Sequence, residues 1–312
     1  FNYSKDYDQT AVGMIISSQE MEDTTLVAVV LRGTFAKEWY SNFEIGRNVN
    51  QTKTHEGYKT ATEFALDKLD MYMVNYGIDR DHCKFLITGH SRGGAVANLM
   101  AKSLVDMYGT DNVYAYTFAS PNTTTSSEAK DPHYSNIYNF VNPEDFITQV
   151  PLKSWGFTKY GRTIVFPDAD TSVNYDKFIS IVNEKYQQYS GRELKTYSGT
   201  AKLNEFLESA NSLAPTIKDY YDTNYEVMGI QLSVYDYLNM FAQILNEENM
   251  LSNGLILLGS DNTAFSKIKN YLLSGADTVS YSSPPDYSDS LISYAHTAET
   301  YLSMLEVYID IL

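Results

Sequence analysis

The run KFLITGHSRGG (84–94) constrains this chain more than any other stretch. KFLI is apolar and strand-like. GGAVANLMAKSLVDMYG (93–109) repeats apolar residues at helical spacing until Gly109 ends it. The turn between them reads G-x-S-x-G, with Ser91 at its centre. A strand turning sharply into a helix is the building unit of an α/β fold. A serine on such a turn is pushed out of the sheet, and the flanking glycines let neighbouring backbone pack close. An ordinary glycine-rich turn is the alternative, but the strand before and the helix after favour a nucleophile.

The rest of the first half repeats this alternation. AVGMIISS (11–18), TTLVAVVL (24–31), VYAYTFAS (113–120), NIYNFV (136–141) and RTIVFP (162–167) read as strands. The unbroken apolar character of 24–31 predicts burial on both faces. Ala61, Ala65, Leu69, Tyr72 and Tyr76 recur at helical spacing. The expected class is therefore α/β, with a mostly parallel central sheet flanked by helices. From 170 to 284 no strand-like run is evident. Instead three amphipathic faces appear: Tyr175, Phe178, Ile179, Val182, Tyr186 and Tyr189; Leu203, Phe206, Leu207 and Ala210; and Val234, Tyr237, Leu238, Phe241 and Leu245. This predicts a helical insert, 170–284, within a catalytic domain of 1–169 and 285–312. YSSPPDYSDS (281–290) would return the chain to the domain. A last helix would bury Ala298, Tyr301, Leu302, Leu305 and Ile309. An insert rooted between sheet and final helix is placed to cap the carboxyl ends of the strands, where such folds bind ligands.

A serine hydroxyl needs a base, and the base needs a carboxylate to fix its tautomer. In strand–turn–helix hydrolases the order along the chain is serine, acid, histidine. Of the five histidines, His55 and His82 precede Ser91, His90 adjoins it, and His133 comes before the best acid segment. His296 satisfies the order. The best acid segment is NFVNPEDFITQVP (139–151), which offers Glu144 and Asp145, one as the acid and the other as a solvated neighbour. Asp168 and Asp170 are reserves.

Read together, LRGTFAKEWYSNF (31–43), THEGYKTA (54–61), TGHSRGGAVANLMA (88–101), NPEDFITQVP (142–151) and AHTAETYL (295–302) resemble, in order and content, the class 3 lipase family, which includes fungal triacylglycerol lipases. The resemblance implies an α/β-hydrolase fold with Ser91, Asp145 and His296 as the triad. It further implies that Thr34, after the Arg-Gly pair, helps form the oxyanion hole. The second donor would be the backbone N–H of Arg92, next to the nucleophile. Fungal members often carry Leu where Arg92 stands, so a charged local surface is expected here. They also lack the insert. Residues 35–46 occupy the family's lid position, with Trp39, Tyr40, Phe43 and Ile45 as its apolar face.

Composition narrows the function classes. A net charge of −16 disfavours nucleic acid and anionic membranes as partners. The single cysteine, Cys83, excludes an internal disulfide and leaves little for a zinc or iron–sulfur site. DADTSVNYD (168–176) lacks the glycine and glutamate an EF-hand requires. No cofactor or metal is expected. The expected function is hydrolysis of acyl esters, with a small-molecule or lipid ester substrate and transient contact with a lipid interface. Phospholipase A1 or another acyl-transfer activity on the same triad is the first alternative, and a silent binding protein on a hydrolase scaffold the second. The chain begins at Phe1. A removed signal segment would account for this and give a secreted protein, while a truncated cytoplasmic chain is the alternative.

Overall fold

The computed structural model describes residues 2–3, 11–34, 38–227, 229–245, 263–272, 274 and 290–311. The chain packs into two compact units. One comprises Phe1–Val141 and Ile147–Ile164, and the other Asn142–Phe146 and Val165–Leu312.

The first unit is built on a sheet whose strands lie side by side in chain order: β1 (Asn2–Tyr3), β2 (Met14–Glu20), β3 (Thr25–Leu31), β4 (Cys83–His90), β5 (Val113–Phe118), β6 (Ile137–Val141) and β7 (Arg162–Val165). The β1–β2 and β2–β3 pairs are antiparallel, and β3 through β6 are parallel. The class is α/β as expected, with a mostly parallel sheet crossed by helices. Two short helices, α1 (Glu38–Phe43) and α2 (Val49–Thr52), precede α3 (Glu56–Asn75), which carries the chain from β3 to β4. The next crossover, from β4 to β5, is α4 (Arg92–Tyr108).

Val27, Val29, Leu31, Phe85, Ile87, Val113 and Ala115 point from the strands into one core with Ala61, Ala65 and Leu69 of α3 and Ala97, Met100 and Leu104 of α4. Burying a side chain the size of Phe85 stabilises by roughly 1.5–3 kcal/mol. β3 is not buried on both faces as its apolar run predicts: burial alternates, and Val30 is 46% exposed. Branched side chains suit the pleated backbone whether or not their face is covered, so the composition overstates burial. A buried polar network then fixes α4 against the sheet. Asn98 donates to Asn139 Oδ1 (3.0 Å) and to the Tyr160 carbonyl (2.9 Å), while Thr117 donates to Asn139 (2.7 Å) and Thr123 to Asn98 (2.8 Å).

The second unit is mainly helical: α5 (Tyr175–Ser190), α6 (Ala201–Leu213), α7 (Ile217–Asp222), α8 (Val234–Leu245), α9 (Thr263–Leu272), α10 (Leu291–His296) and α11 (Ala298–Ile311). α5 packs along α11, α6 against α9, and α7 against α8. The predicted faces of α5 and α6 bury Phe178, Val182, Tyr186, Leu203 and Phe206. Two expectations change. A small antiparallel hairpin, β8 (Tyr225–Val227) with β9 (Ile230–Leu232), lies in a stretch read as purely helical, because three-residue strands are too short to show a period of two. In α11 the buried stripe is Tyr301, Met304 and Val307, whereas Leu302 and Ile309 are exposed. Contact with α5, including the Lys185–Glu306 ion pair at 3.0 Å, sets that rotation. By contact α10 and α11 fall in the same unit as α5. Most of the return segment 281–290, up to residue 289, lies outside the described residues.

Candidate active site

In the first unit, β4 ends at His90 and α4 begins at Arg92, leaving Ser91 alone at the corner with φ 58° and ψ −128°. A positive φ on a residue with a side chain costs of order 1–3 kcal/mol and persists only where the surroundings impose it. They do so here. Ser91 N–H donates to the Phe118 carbonyl (3.0 Å), and the Ser91 carbonyl accepts from Ala95 N–H (3.1 Å). Gly93 is required by contact: a Cβ on it would lie 2.3 Å from the Leu31 carbonyl oxygen. The N–H of Arg92 sits at the positive end of a 17-residue helix, where the dipole favours negative charge.

The loop after β3 packs on this corner. The position a Gly33 Cβ would take is 3.4 Å from Ser91 Cβ. Thr34 follows, and its Oγ1 accepts from Asn42 Nδ2 (2.9 Å). Asn42 is itself held, since its carbonyl accepts from His55 Nε2–H (3.2 Å) and His55 Nδ1 accepts from Tyr58 N–H (3.4 Å). Burial drives the His55 pKa down to about 3, so the ring is neutral, with its proton on Nε2. His55 is thus the buried N-cap of α3, stacked on Tyr58 at 3.9 Å. Because Thr34 Oγ1 is engaged as an acceptor from Asn42, its own O–H is turned to donate in another direction.

Arg92 departs from expectation. Instead of charging the surface, its side chain is buried and donates to the Ala11 carbonyl (2.9 Å). Of the lid-position stretch, 35–37 lie outside the described residues, and the rest forms α1 and a turn with Ile45 buried.

In the second unit, the side chain of Asp145 is wholly buried and that of His296 is 18% exposed. His296 Nδ1–H donates to Asp145 Oδ2 at 2.8 Å, which leaves the Nε2 lone pair as the basic position. Tyr301 O–H donates to the same Oδ2 (2.8 Å) and accepts from Asn142 N–H (2.9 Å). Burial and the Asp145 charge push the Tyr301 pKa well up, so the phenol keeps the proton it donates. Asn142 Nδ2 reaches the Ala295 carbonyl (2.8 Å), next to His296, and Asn142 Oδ1 accepts from Glu144 N–H (3.2 Å).

Glu144 is not the solvated neighbour the sequence suggests. It is buried, and its carboxylate accepts from the backbone N–H groups of Tyr197 (2.8 Å) and Gly199 (2.9 Å). Burial pushes its pKa up and those two hydrogen bonds pull against the rise. The reserve acids have other work: Asp168 accepts from Asp170 and Thr171 N–H groups in a turn, and Asp170 accepts from Thr200. His82 pairs with Asp79 and His133 with Asp106, both exposed. Asn42, Asn142 and Tyr301 carry structure around the candidate residues, yet nothing local in the sequence marks their partners. Among the described residues no group of three or more His, Cys, Asp or Glu is placed to hold a metal ion.

The family model described as lipase (class 3) matches residues 24–155. Similar solved structures include the Rhizomucor miehei triacylglyceride lipase, 22% identical over 50% of this chain and 62% of that one, with a TM-score of 0.38. Lip2 lipase from Yarrowia lipolytica is 18% identical over 54% and 64%, with a TM-score of 0.38. A triacylglycerol lipase whose catalytic centre is described as a serine protease triad is 22% identical over 51% and 63%, with a TM-score of 0.36. The chain spans less than two thirds of each of these relatives.

Proposed function

We propose, for a chain whose residues 24–155 match the class 3 lipase model, that it is a serine carboxylester hydrolase of that family acting on lipid or other acyl esters. Ser91 Oγ attacks the ester carbonyl while His296 Nε2 takes its proton. The negative charge on the carbonyl oxygen is held by Thr34 and by the N–H of Arg92. The tetrahedral intermediate collapses, and the departing alcohol takes its proton from His296. Water then attacks the acyl-Ser91 ester by the same route, releasing the acid. Asp145 keeps the His296 proton on Nδ1 throughout. The observation that carries this reading is the forced backbone of Ser91 at the start of α4. A fluorophosphonate is expected to label the wild-type protein at Ser91 and to leave Ser91→Ala unlabelled. Labelling elsewhere, or none in a folded protein, would sink the proposal.

The segment 170–284 is proposed as a cap that narrows substrate choice. Because Glu144 is anchored on Tyr197 and Gly199, the test keeps residues up to 200 and replaces 201–284 by a Gly/Ser linker. Hydrolysis of p-nitrophenyl esters of increasing chain length is expected to lose its length preference while short esters are still cleaved. A folded variant with the same length profile would show that the segment plays no part in selection.

A further inference from the structure

The hydrolase reading leaves one buried charge cluster of the first unit without a role. Glu38, the first residue of α1, is 1% exposed, as is Arg92. Glu38 Oε1 lies 2.9 Å from Arg32 Nη2, and Glu38 Oε2 lies 3.9 Å from Arg92 Nε. Burial pulls the Arg92 guanidinium below its ordinary pKa, and the Glu38 carboxylate pulls it back. A carboxylate and a guanidinium as dry as Glu38 and Arg92, with the half-buried Arg32 beside them, persist only when geometry and further hydrogen bonds compensate the lost hydration.

The geometry identifies what the cluster holds. Arg32 Nη1 donates to the carbonyl of Gly33 (2.8 Å), and the backbone N–H of Arg32 donates to Gly13 (2.8 Å). The guanidinium lies so close over Gly13 that a Cβ there would be 2.5 Å from Arg32 Nε. The Gly33 carbonyl and the Thr34 N–H belong to one planar trans peptide and point in opposite directions. Pinning that carbonyl therefore aims the Thr34 N–H the other way. The second arginine carries the other proposed donor, the N–H of Arg92, and its side chain is tied to Ala11 and Glu38. One carboxylate thus meets both arginines: Arg92, which bears one donor, and Arg32, which pins the carbonyl sharing a peptide with the other.

We infer that Glu38 is a positioning residue which, through Arg32 and Arg92, presets the two oxyanion donors before substrate arrives. This rests on the hydrolase reading above. It makes the start of α1 a fixed strut of the oxyanion hole, so a preset hole would not depend on an oil–water boundary to form.

The test compares wild type, Glu38→Gln and the double variant Glu38→Gln/Arg92→Leu on a soluble short-chain p-nitrophenyl ester, with active enzyme counted by end-point fluorophosphonate labelling. An alkylboronic acid serves as the second probe, because its adduct with the serine places an oxygen in the oxyanion hole. Losing part of the preset donor geometry is expected to lower kcat about tenfold, a fraction of what loss of a whole donor costs. The boronate inhibition constant should rise by the same factor while KM stays put. A merely structural Glu38 would lower the melting temperature and leave kcat and the boronate constant alone, which overturns the inference. A rise in KM alone would also overturn it. If Glu38→Gln does not fold, the double variant decides, since it also removes the fully buried guanidinium and leaves only the half-exposed Arg32 without its carboxylate. If neither folds, Glu38→Asp keeps the charge but is too short to span both arginines, and the same fall in kcat is expected of it. Wild-type protein that is labelled at Ser91 and cleaves the ester keeps the hydrolase reading intact whatever Glu38 does; wild type that does neither sinks that reading first.

Discussion

Ser91→Ala and His296→Ala are each expected to lower kcat by about 10³-fold or more, and the double variant to lose little beyond either alone. The reason is that neither group does the work without the other: the hydroxyl is inert without a base, and the base has nothing to deprotonate without the hydroxyl. Additive losses in a single-turnover assay would show that His296 does not serve Ser91. Asp145→Asn follows from the same logic. Its amide would offer an N–H where His296 now finds an acceptor at 2.8 Å, favouring the tautomer with the proton on Nε2, which cannot accept from serine. A loss of about 10⁴-fold is the scale of that effect in a serine triad. A nearly silent Asp145→Asn with a crippling Asp168→Asn or Asp170→Asn would move the acid to the later loop, against the turn-capping hydrogen bonds those two residues make.

Thr34→Ala is expected to lower kcat by roughly 10²-fold with KM little changed. The substitution keeps the backbone N–H and removes two things at once: the hydroxyl as a donor and its acceptance of a hydrogen bond from Asn42. Thr34→Ser retains both and is expected to stay within a few-fold of wild type, about the size of a lost methyl contact. Steady-state kinetics on a soluble ester separate the cases. A change confined to KM would place Thr34 in ground-state binding, and equal losses in Thr34→Ala and Thr34→Ser would point to shape rather than the hydroxyl.

Local patterns carried much of the architecture. The strand KFLI and the helix that follows were legible because each has its own period and the glycines between them mark a close turn; the structure places β4 and α4 there within a residue or so. The four middle strands were legible for the same reason. Rotations and partners were not. The apolar residues of 298–311 fall on overlapping stripes, and only contact with α5 selects Tyr301, Met304 and Val307 as the buried one.

The neighbours Glu144 and Asp145 show where sequence reading ends. The resemblance singles out Asp145, but residue type, chain order and spacing alone leave the pair equivalent. In the folded chain Glu144 meets the N–H groups of Tyr197 and Gly199, more than fifty positions away, while Asp145 meets His296 and Tyr301, more than a hundred and fifty away. Arg92 reads as a surface charge and becomes a buried one because Glu38, Arg32 and the Ala11 carbonyl converge on the space behind the elbow. Sequence by itself determined the strand–turn–helix and the serine at its corner, since those depend on dihedral preferences and periodicity within a dozen residues. Only the tertiary structure decided which carboxylate holds a histidine and which a loop, and where a charge goes dry, because hydrogen bonding and desolvation act between atoms brought together by packing and leave no trace in local spacing.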